Sequence, residues 1–491
     1  MTGLLSDLRV RIGACVLALA VVGGLGAITH AKAPVTRAEG VEEPTRTVVN
    51  RTALACPVPG LGGKVASWVN AVAPSLPEDT PTAAGDSAPL SIAPLPSTSD
   101  PVGSVLARGK IASTARTANL QPLSIRGTGP LAAGAVATST TVAEEGVNRG
   151  MASVPCQLPG SDFWFVGASG AVNRRDVLVL TNLDSVNAEV NVTFYSATGV
   201  QDVPNARGVV VPARGTAEIY LGQVVKLPDL ALHVVSTGGR VAPALRDNAS
   251  SGKTPAGVDW LNTSTQPALK VTVPALAGGS GVRVLTVVNP GDLQASATLT
   301  INGPNGPFKP AELSTMQIPA GSTKVIRLEG VLKKYASAIT VTADQPITAA
   351  TRMTNSAVTE FSTLGATEPL RGPAYVVLPP HDQPVVLQVT APGDTAGVRF
   401  ELRDATDKVI QTRSLDVIGG ATNVITFKPQ TKPTYLMVEQ LRGDIVAGAT
   451  LMPAAKADPE DTPQVAAWPL TTSLVFRAQL GAEPDTKAAL N

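Results

Sequence analysis

The chain has 491 residues, with Lys+Arg 39 against Asp+Glu 38 and a formal net charge of +1. That length holds several domains of ordinary size, and the balanced charge removes the electrostatic case for a nucleic-acid partner. Aromatic residues make up only 3%, so cores are filled by Val, Leu, Ile and Ala, and stacking platforms for bases or sugars are scarce.

Residues 12–28 are apolar and uncharged, and Arg9 and Arg11 precede them. The positive flank places the N-terminus in the cytoplasm and everything after the segment outside. Ala31-Lys32-Ala33 is an A-x-A cleavage pattern, but Pro34 would follow the cut. Residues 1–33 therefore read as a single-pass membrane anchor or as a cleaved signal peptide, and both export the rest. A linker over 34–46 follows.

Beyond it, one β-unit of about 107 residues recurs four times. Its opening strand ends at Pro57, Gly167, Pro274 and Pro379, intervals of 110, 107 and 105 residues. The next block is Val177-Leu178-Val179-Leu180-Thr181-Asn182 in one unit and Arg283-Val284-Leu285-Thr286-Val287-Val288-Asn289 in the next, stopping at Leu183-Asp184 and Pro290-Gly291-Asp292. Such endings are strands meeting turns. The segment Glu189-Val190-Asn191-Val192-Thr193-Phe194 alternates, as a half-buried strand does. A hairpin is expected at Val211-Pro212-Ala213-Arg214-Gly215-Thr216 and at Ile318-Pro319-Ala320-Gly321-Ser322-Thr323. A closing hairpin is expected to turn at Thr237-Gly238-Gly239, Asp344-Gln345-Pro346 and Arg442-Gly443-Asp444.

About seven short strands per unit suit an immunoglobulin-like sandwich. The expected fold is all-β: four tandem immunoglobulin-like β-sandwich domains behind one N-terminal transmembrane or signal helix. The units are 47–157, which is degenerate, then 158–265, 266–370 and 371–480, with a disordered tail at 481–491. A Pro-rich stretch over 74–102, without Lys or Arg, reads as a disordered insertion in the first unit. Ser473-Leu474-Val475-Phe476-Arg477 reads as a closing strand of the last domain in a linear array; the alternative is ring closure, as in a propeller.

Outside Cys15 of the export segment, the cysteines are Cys56 and Cys156. In an exported protein two cysteines most simply form one disulfide, here tying the start of the first sandwich to its end. Trp164, Trp260 and Trp468 stand near unit boundaries, the latter two in inter-unit segments, and are expected to pack at domain junctions; a ligand-stacking surface is the other reading.

No catalytic constellation emerges. Gly167-Ala168-Ser169-Gly170-Ala171 resembles a nucleophile elbow, but a β-run follows it where a helix should, and Gly279-Ser280-Gly281 repeats the feature as a turn. His30, His233 and His381 are scattered, with no ligand spacing; His381 beside Asp382 is the least improbable metal or acid–base pair. Asp292 and Asp394 lack an Asp-x-Asp array and read as turn residues rather than calcium ligands. Arg442-Gly443-Asp444 is an adhesion tripeptide by composition and a turn by position.

The anchor, Cys56 and Cys156, the Asp162-Phe163-Trp164-Phe165-Val166-Gly167 strand and the Val-Leu-x-Leu-x-Asn run after it resemble an actinobacterial family of exported proteins of unknown function. The resemblance implies a cell-envelope role, since the family's genes often stand near an envelope glycosyltransferase. It carries over no functional residues. The expectation is a non-enzymatic, extracytoplasmic envelope scaffold with no metal or cofactor, whose partners are envelope proteins or cell-wall glycan, with the membrane reached through the N-terminal segment. A glycan- or protein-binding adhesion module is the alternative, and a hydrolase of unknown class the second alternative.

Overall fold

Runs of Val, Leu, Ile and Thr suit a pleated, half-buried surface, and Gly, Pro and Asp punctuate them throughout the chain. The structure, a computed structural model, describes residues 45–57, 65–86, 88–96, 100–116, 121–332, 335–453 and 464–479. The expected signal or anchor segment, nearly all of the expected linker and the 481–491 tail lie outside the described residues. Among those described, no helix is long and apolar enough to cross a membrane. The protein is all-β; among the described residues there is one α-helical turn, at Leu221–Val224, besides short 3-10 turns. Two compact units are present: residues 48–477, and a small one made of 1–47 with 478–491.

Strand β1 is Thr45–Val48. The first repeat holds Arg51–Cys56 (β2), Val65–Val72 (β3), Leu90–Pro94 (β4), Gly103–Val105 (β5), Ile111–Ser113 (β6), Leu123–Thr128 (β7), Val136–Ala143 (β8) and Gly150–Pro155 (β9). The second holds Asp162–Ala168 (β10), Val177–Thr181 (β11), Ala188–Ser196 (β12), Gly199–Gln201 (β13), Val209–Val211 (β14), Thr216–Tyr220 (β15), Leu230–Gly238 (β16), Ala242–Ser251 (β17) and Thr254–Leu261 (β18). The third holds Ala268–Leu276 (β19), Arg283–Asn289 (β20), Ala295–Gly303 (β21), Gly306–Phe308 (β22), Met316–Ile318 (β23), Ser322–Arg327 (β24), Ser337–Thr354 (β25) and Phe361–Gly365 (β26). The fourth holds Ala374–Leu378 (β27), Val385–Thr390 (β28), Ala396–Asp404 (β29), Val409–Val417 (β30), Thr422–Phe427 (β31), Thr434–Arg442 (β32), Val446–Leu451 (β33) and Ala466–Leu470 (β34). Phe476–Gln479 (β35) pairs with β1.

Each repeat is two sheets. An opening sheet carries the first strand, in the order β10-β16-β12-β13, β2-β7-β4-β5 and β27-β32-β29-β30. A closing sheet carries the last strand, in the order β15-β11-β17-β18, β6-β3-β8-β9 and β31-β28-β33-β34. The third repeat follows the same plan, but one 18-residue strand, β25, serves both sheets. It pairs with β19 and β21 over its first part and with β20 and β26 over its second. First and second strands thus lie in opposite sheets, whereas an immunoglobulin sandwich keeps them as neighbours. The repeats are sandwiches with a different connectivity from the expected one.

Three further expectations change. The expected hairpins at 211–216 and 318–323 are crossovers, because β14 pairs with β12 of one sheet and β15 with β11 of the other. The same holds for the turn at Thr237-Gly238-Gly239, which carries the chain from β16 to β17. Turn residues mark a change of direction and are silent on which sheet the next strand joins. At Asp344-Gln345-Pro346 there is no turn at all, since β25 runs straight through. The Pro-rich stretch is no mere insertion: Leu90 and Ile92 of β4 are fully buried, and β4 pairs with β7. Its prolines fall largely outside the ladder, where a missing N–H costs nothing.

The sandwiches do not form a row. Strand β9 packs on β18, β18 on β26, β26 on β34 and β34 on β9, so the last strands of the four repeats encircle one axis. At every seam the opening sheet of one repeat meets the closing sheet of the next. Ala53, Ala55 and Leu95 meet Leu183 and Ala242; Trp164, Val166, Tyr195 and Ala231 meet Val288 and Ala350. Between the third and fourth, Thr422 Oγ1 donates to the Asn302 carbonyl at 2.6 Å. Between the fourth and first, Tyr375, Val377, Tyr435 and Met437 pack with Val72, Ala132 and Ala133. The segment read as a closing strand of the last domain returns to the first: the Val49 N–H donates to the Val475 carbonyl at 2.9 Å, and the Gly134 N–H to that of Leu474 at 3.0 Å. Val475 is buried in this seam. Val475→Asp buries an unpaired carboxylate there and is expected to cost ~2–4 kcal/mol, read by chemical denaturation.

Candidate binding site

The axis is built from the closing strands, which lie against closing strands of their neighbours. Polar groups on them are therefore buried and have to find partners across the seams. The Glu360 carboxylate does so three times. Its Oε1 accepts from the N–H groups of Val258 at 2.7 Å and Phe361 at 3.1 Å, and its Oε2 from Met151 at 3.2 Å. One side chain thereby joins the first three repeats. Gly257, at φ +112, lies against it: a Cβ there would stand 2.4 Å from Oε1 and 2.8 Å from the Glu360 Cα.

A charged cluster fills the seam between the second and third repeats. Arg174 donates Nε to Asp247 Oδ1 at 2.6 Å and pairs its Nη2 with Oδ2. Arg352 donates Nη1 to the same Oδ2 at 2.6 Å, and its guanidinium lies 3.4 Å over the Phe361 ring. Asp259 stands opposite Asp247 across the β17–β18 ladder. Its Oδ2 accepts from Ser362 Oγ at 2.9 Å and the Thr363 N–H at 2.7 Å, while its Oδ1 has no partner among the described residues. Burial pushes the carboxyls of Asp176, Asp259 and Glu360 well above the usual carboxylate range, against the pull of the hydrogen bonds they accept.

A group whose pKa is raised by folding stabilises below its unfolded value, and that stability is lost as pH rises through the folded value. The folded protein is therefore expected to lose stability from about pH 4 upward. Asp259→Asn keeps both acceptor bonds at one oxygen and is expected to flatten that slope, measured by denaturant unfolding across pH.

At the C-terminal ends of β9, β18, β26 and β34 the chain passes from each repeat to the next, and the four connections surround a recess of about 500 Å³. Its wall includes Gln157 and Leu158 from the first connection, Thr263 to Thr265 from the second, Thr367 to Pro369 from the third and Thr471 to Leu474 from the fourth. Most of the wall is apolar, with Leu54, Val154, Phe165 and Leu261 among its residues, and the polar groups set into it are mainly neutral hydroxyls. Glu368, Thr471 and Thr472 are exposed at its mouth. Arg371 also lines it but is paired with Asp444 at 2.7 Å. Cys156, bonded to Cys56, forms part of the wall. The bond spans 100 residues, and removing both sulfurs by Cys56→Ser with Cys156→Ser is expected to cost up to ~4 kcal/mol in thermal or denaturant unfolding.

Trp164, Trp260 and Trp468 lie at seams. Trp164 stacks on His233 at 4.2 Å and donates Nε1 to Gln266 Oε1 at 3.1 Å. Trp260 packs with Ala152 and Val154 of the first repeat. Trp468 donates Nε1 to Ser153 Oγ at 3.0 Å. Trp260 and Trp468 sit within β18 and β34, strands where the sequence suggests inter-unit segments, and both are too buried to present a stacking face.

The scattered candidates stay apart. The Ser169 Oγ accepts from the Ala171 N–H at 3.2 Å inside a turn. His233 pairs with Asp162 at 2.9 Å. His381 is buried, its Nδ1 2.7 Å from the Gln383 carbonyl, and burial lowers its pKa. Arg442 pairs with Asp416. Among the described residues no group of three His, Cys, Asp or Glu is placed to hold a metal. The buried carboxylate cluster was missed altogether, although charges inside β-runs at Asp247, Asp259 and Arg352 were its signal.

The architecture defines a closed ring of four sandwiches around an axial recess. By sequence, residues 111–428 match the Family of unknown function (DUF5719), and the chain belongs to that family. No curated protein matches it. Among solved structures, Thermotoga maritima 1070 is similar at 18% identity and TM-score 0.18, over 20% of this chain and 93% of that one. The serine-rich repeat protein Srr2 of Streptococcus agalactiae is similar at 8% identity and TM-score 0.12, over 72% and 87%. Streptomyces avermitilis alpha-L-rhamnosidase complexed with L-rhamnose is similar at 8% identity and TM-score 0.13, over 88% and 57%. At these scores none of the three transfers a fold or a function.

Proposed function

We propose that the protein is a non-enzymatic binding module working outside the cytoplasm, and that the axial recess takes an uncharged, hydroxyl-bearing ligand such as a saccharide unit of the envelope. The observation that carries this reading is the convergence of all four connections on one recess, whose largely apolar wall is set with polar groups that are mainly neutral hydroxyls and amides. Its volume falls within the range of small-ligand sites. Hydroxyls on an apolar wall offer donors and acceptors beside surface for the C–H faces of a sugar ring, which is what a saccharide needs. The shortage of exposed aromatics predicts modest affinity, since no stacking face adds to the hydrogen bonds. The Cys56–Cys156 bond favours an oxidising compartment, in keeping with the apolar segment at residues 12–28. A scaffolding role in the envelope is the second reading, favoured by the packing of four sandwiches into one body rather than a jointed chain.

The test is titration with a panel of neutral envelope-type mono- and oligosaccharides, followed by ligand-observed magnetic resonance. At least one is expected to bind unchanged after long incubation, and Thr471→Trp, which fills the mouth, is expected to weaken it by about tenfold or more. Conversion of the sugar would make the protein an enzyme; absence of binding across the panel would leave the scaffold reading.

A further inference from the structure

Among the described residues every sandwich leaves the fourth-strand edge of its opening sheet unpaired, and such an edge is a template for a foreign strand. Three of the repeats blunt it. In the first, β5 is only Gly103–Val105. In the second, the edge is cut into β13 and β14 by the turn Pro204–Ala206. In the third, β22 and β23 are separated by Pro310 and the turn Ala311–Leu313. The fourth does none of this. Strand β30 runs unbroken for nine residues, contains no proline, and among the described residues pairs only with β29. Its residues from Val409 to Ser414 are all exposed, Val409 and Ile410 among them.

Between β30 and β31, the free edge of the closing sheet, runs a groove of about 520 Å³. Arg413 lines it. Arg413 stands opposite Phe400, a core residue, and so lies on the inward face of the sheet at its rim. It has no hydrogen bond or ion pair among the described residues. Asp416, the groove's acid, is already held by Arg442 at 2.6 Å. The groove therefore carries one uncompensated positive charge between apolar neighbours at Leu415 and Ile425.

We propose that β30 is a docking edge for an extended acidic segment of a partner protein, which adds to the opening sheet as a fifth strand and sets a carboxylate against Arg413. Main-chain hydrogen bonds supply the affinity in such strand addition, and alternate side chains supply the selectivity. An inward charge at an edge deters indiscriminate pairing, and here it admits the strand that neutralises it. A second copy of this chain fits poorly, because antiparallel self-pairing centred on β30 sets Arg413 against itself. This site is remote in kind from the saccharide recess and stands or falls independently of it.

The experiment is hydrogen-exchange mass spectrometry on the full chain with a short peptide alternating valine and threonine around a central glutamate, and with its lysine counterpart. The glutamate peptide is expected to slow exchange within residues 409–417, and the lysine peptide to bind roughly five- to tenfold more weakly. Arg413→Glu is expected to reverse that order. No slowing in 409–417 at saturating peptide, equal effects of the two peptides, or the same protection produced by self-association without peptide would each overturn the proposal.

Discussion

One contact, repeated, holds the rest in place: the outer face of an opening sheet laid on the outer face of the next repeat's closing sheet. It is a head-to-tail contact, and such contacts build either an endless stack or a ring, depending on whether the rotation per step closes. Here it closes after four steps, within one chain. Closure buries the last strand of every repeat on its neighbours, which is why Trp260 and Trp468 are enclosed. It also explains Glu360. Three backbone donors at the axis lack ladder partners, water cannot reach them, and one carboxylate from the third repeat satisfies them together.

The axis is polar at both ends of its length for different reasons. Toward the starts of the closing strands lie charges that folding has trapped, and their cost is carried by pairing and by proton retention. Toward the ends lie the connections, whose backbone turns away from the sheets and whose Thr and Ser side chains suit exposed loop positions. The first arrangement is inward and structural. The second is outward and open, and so it is the place where a ligand can be met. The fourfold plan is not fourfold in detail, since only one repeat keeps a long free edge and only one carries a disulfide among the described residues.

Strand positions were legible in the sequence because local alternation and turn residues fix them; Val177-Leu178-Val179-Leu180-Thr181 is β11 as expected. Sheet membership was not legible. Val211-Pro212-Ala213-Arg214-Gly215-Thr216 has the same turn chemistry whether the chain doubles back or crosses to the facing sheet. Nor was closure legible, because apolar residues such as Tyr375 and Val377 look alike whether they face their own core or a neighbour's sheet. The Leu90-Ser91-Ile92 alternation was hidden by its prolines. Asp247 and Asp259 were the clearest signal passed over: two acids inside buried strands have to be met by donors somewhere, and Arg174 and Arg352 meet Asp247 while Ser362 and the Thr363 N–H meet Asp259.

The seam between the fourth repeat and the first joins the latest-made part of the chain to the earliest. The contact between Val475 and Val49 spans most of the polypeptide and that between Tyr375 and Ala132 about half of it, and long-range pairings of this kind form slowly. A chain emerging N-terminus first presents the closing sheet of its first repeat with no covering surface until the fourth has followed. For that interval an apolar face of β3 and β8 stands bare, so synthesis and folding of this protein are coupled over its whole length, and its exposure to aggregation is set by the time the last repeat takes to arrive.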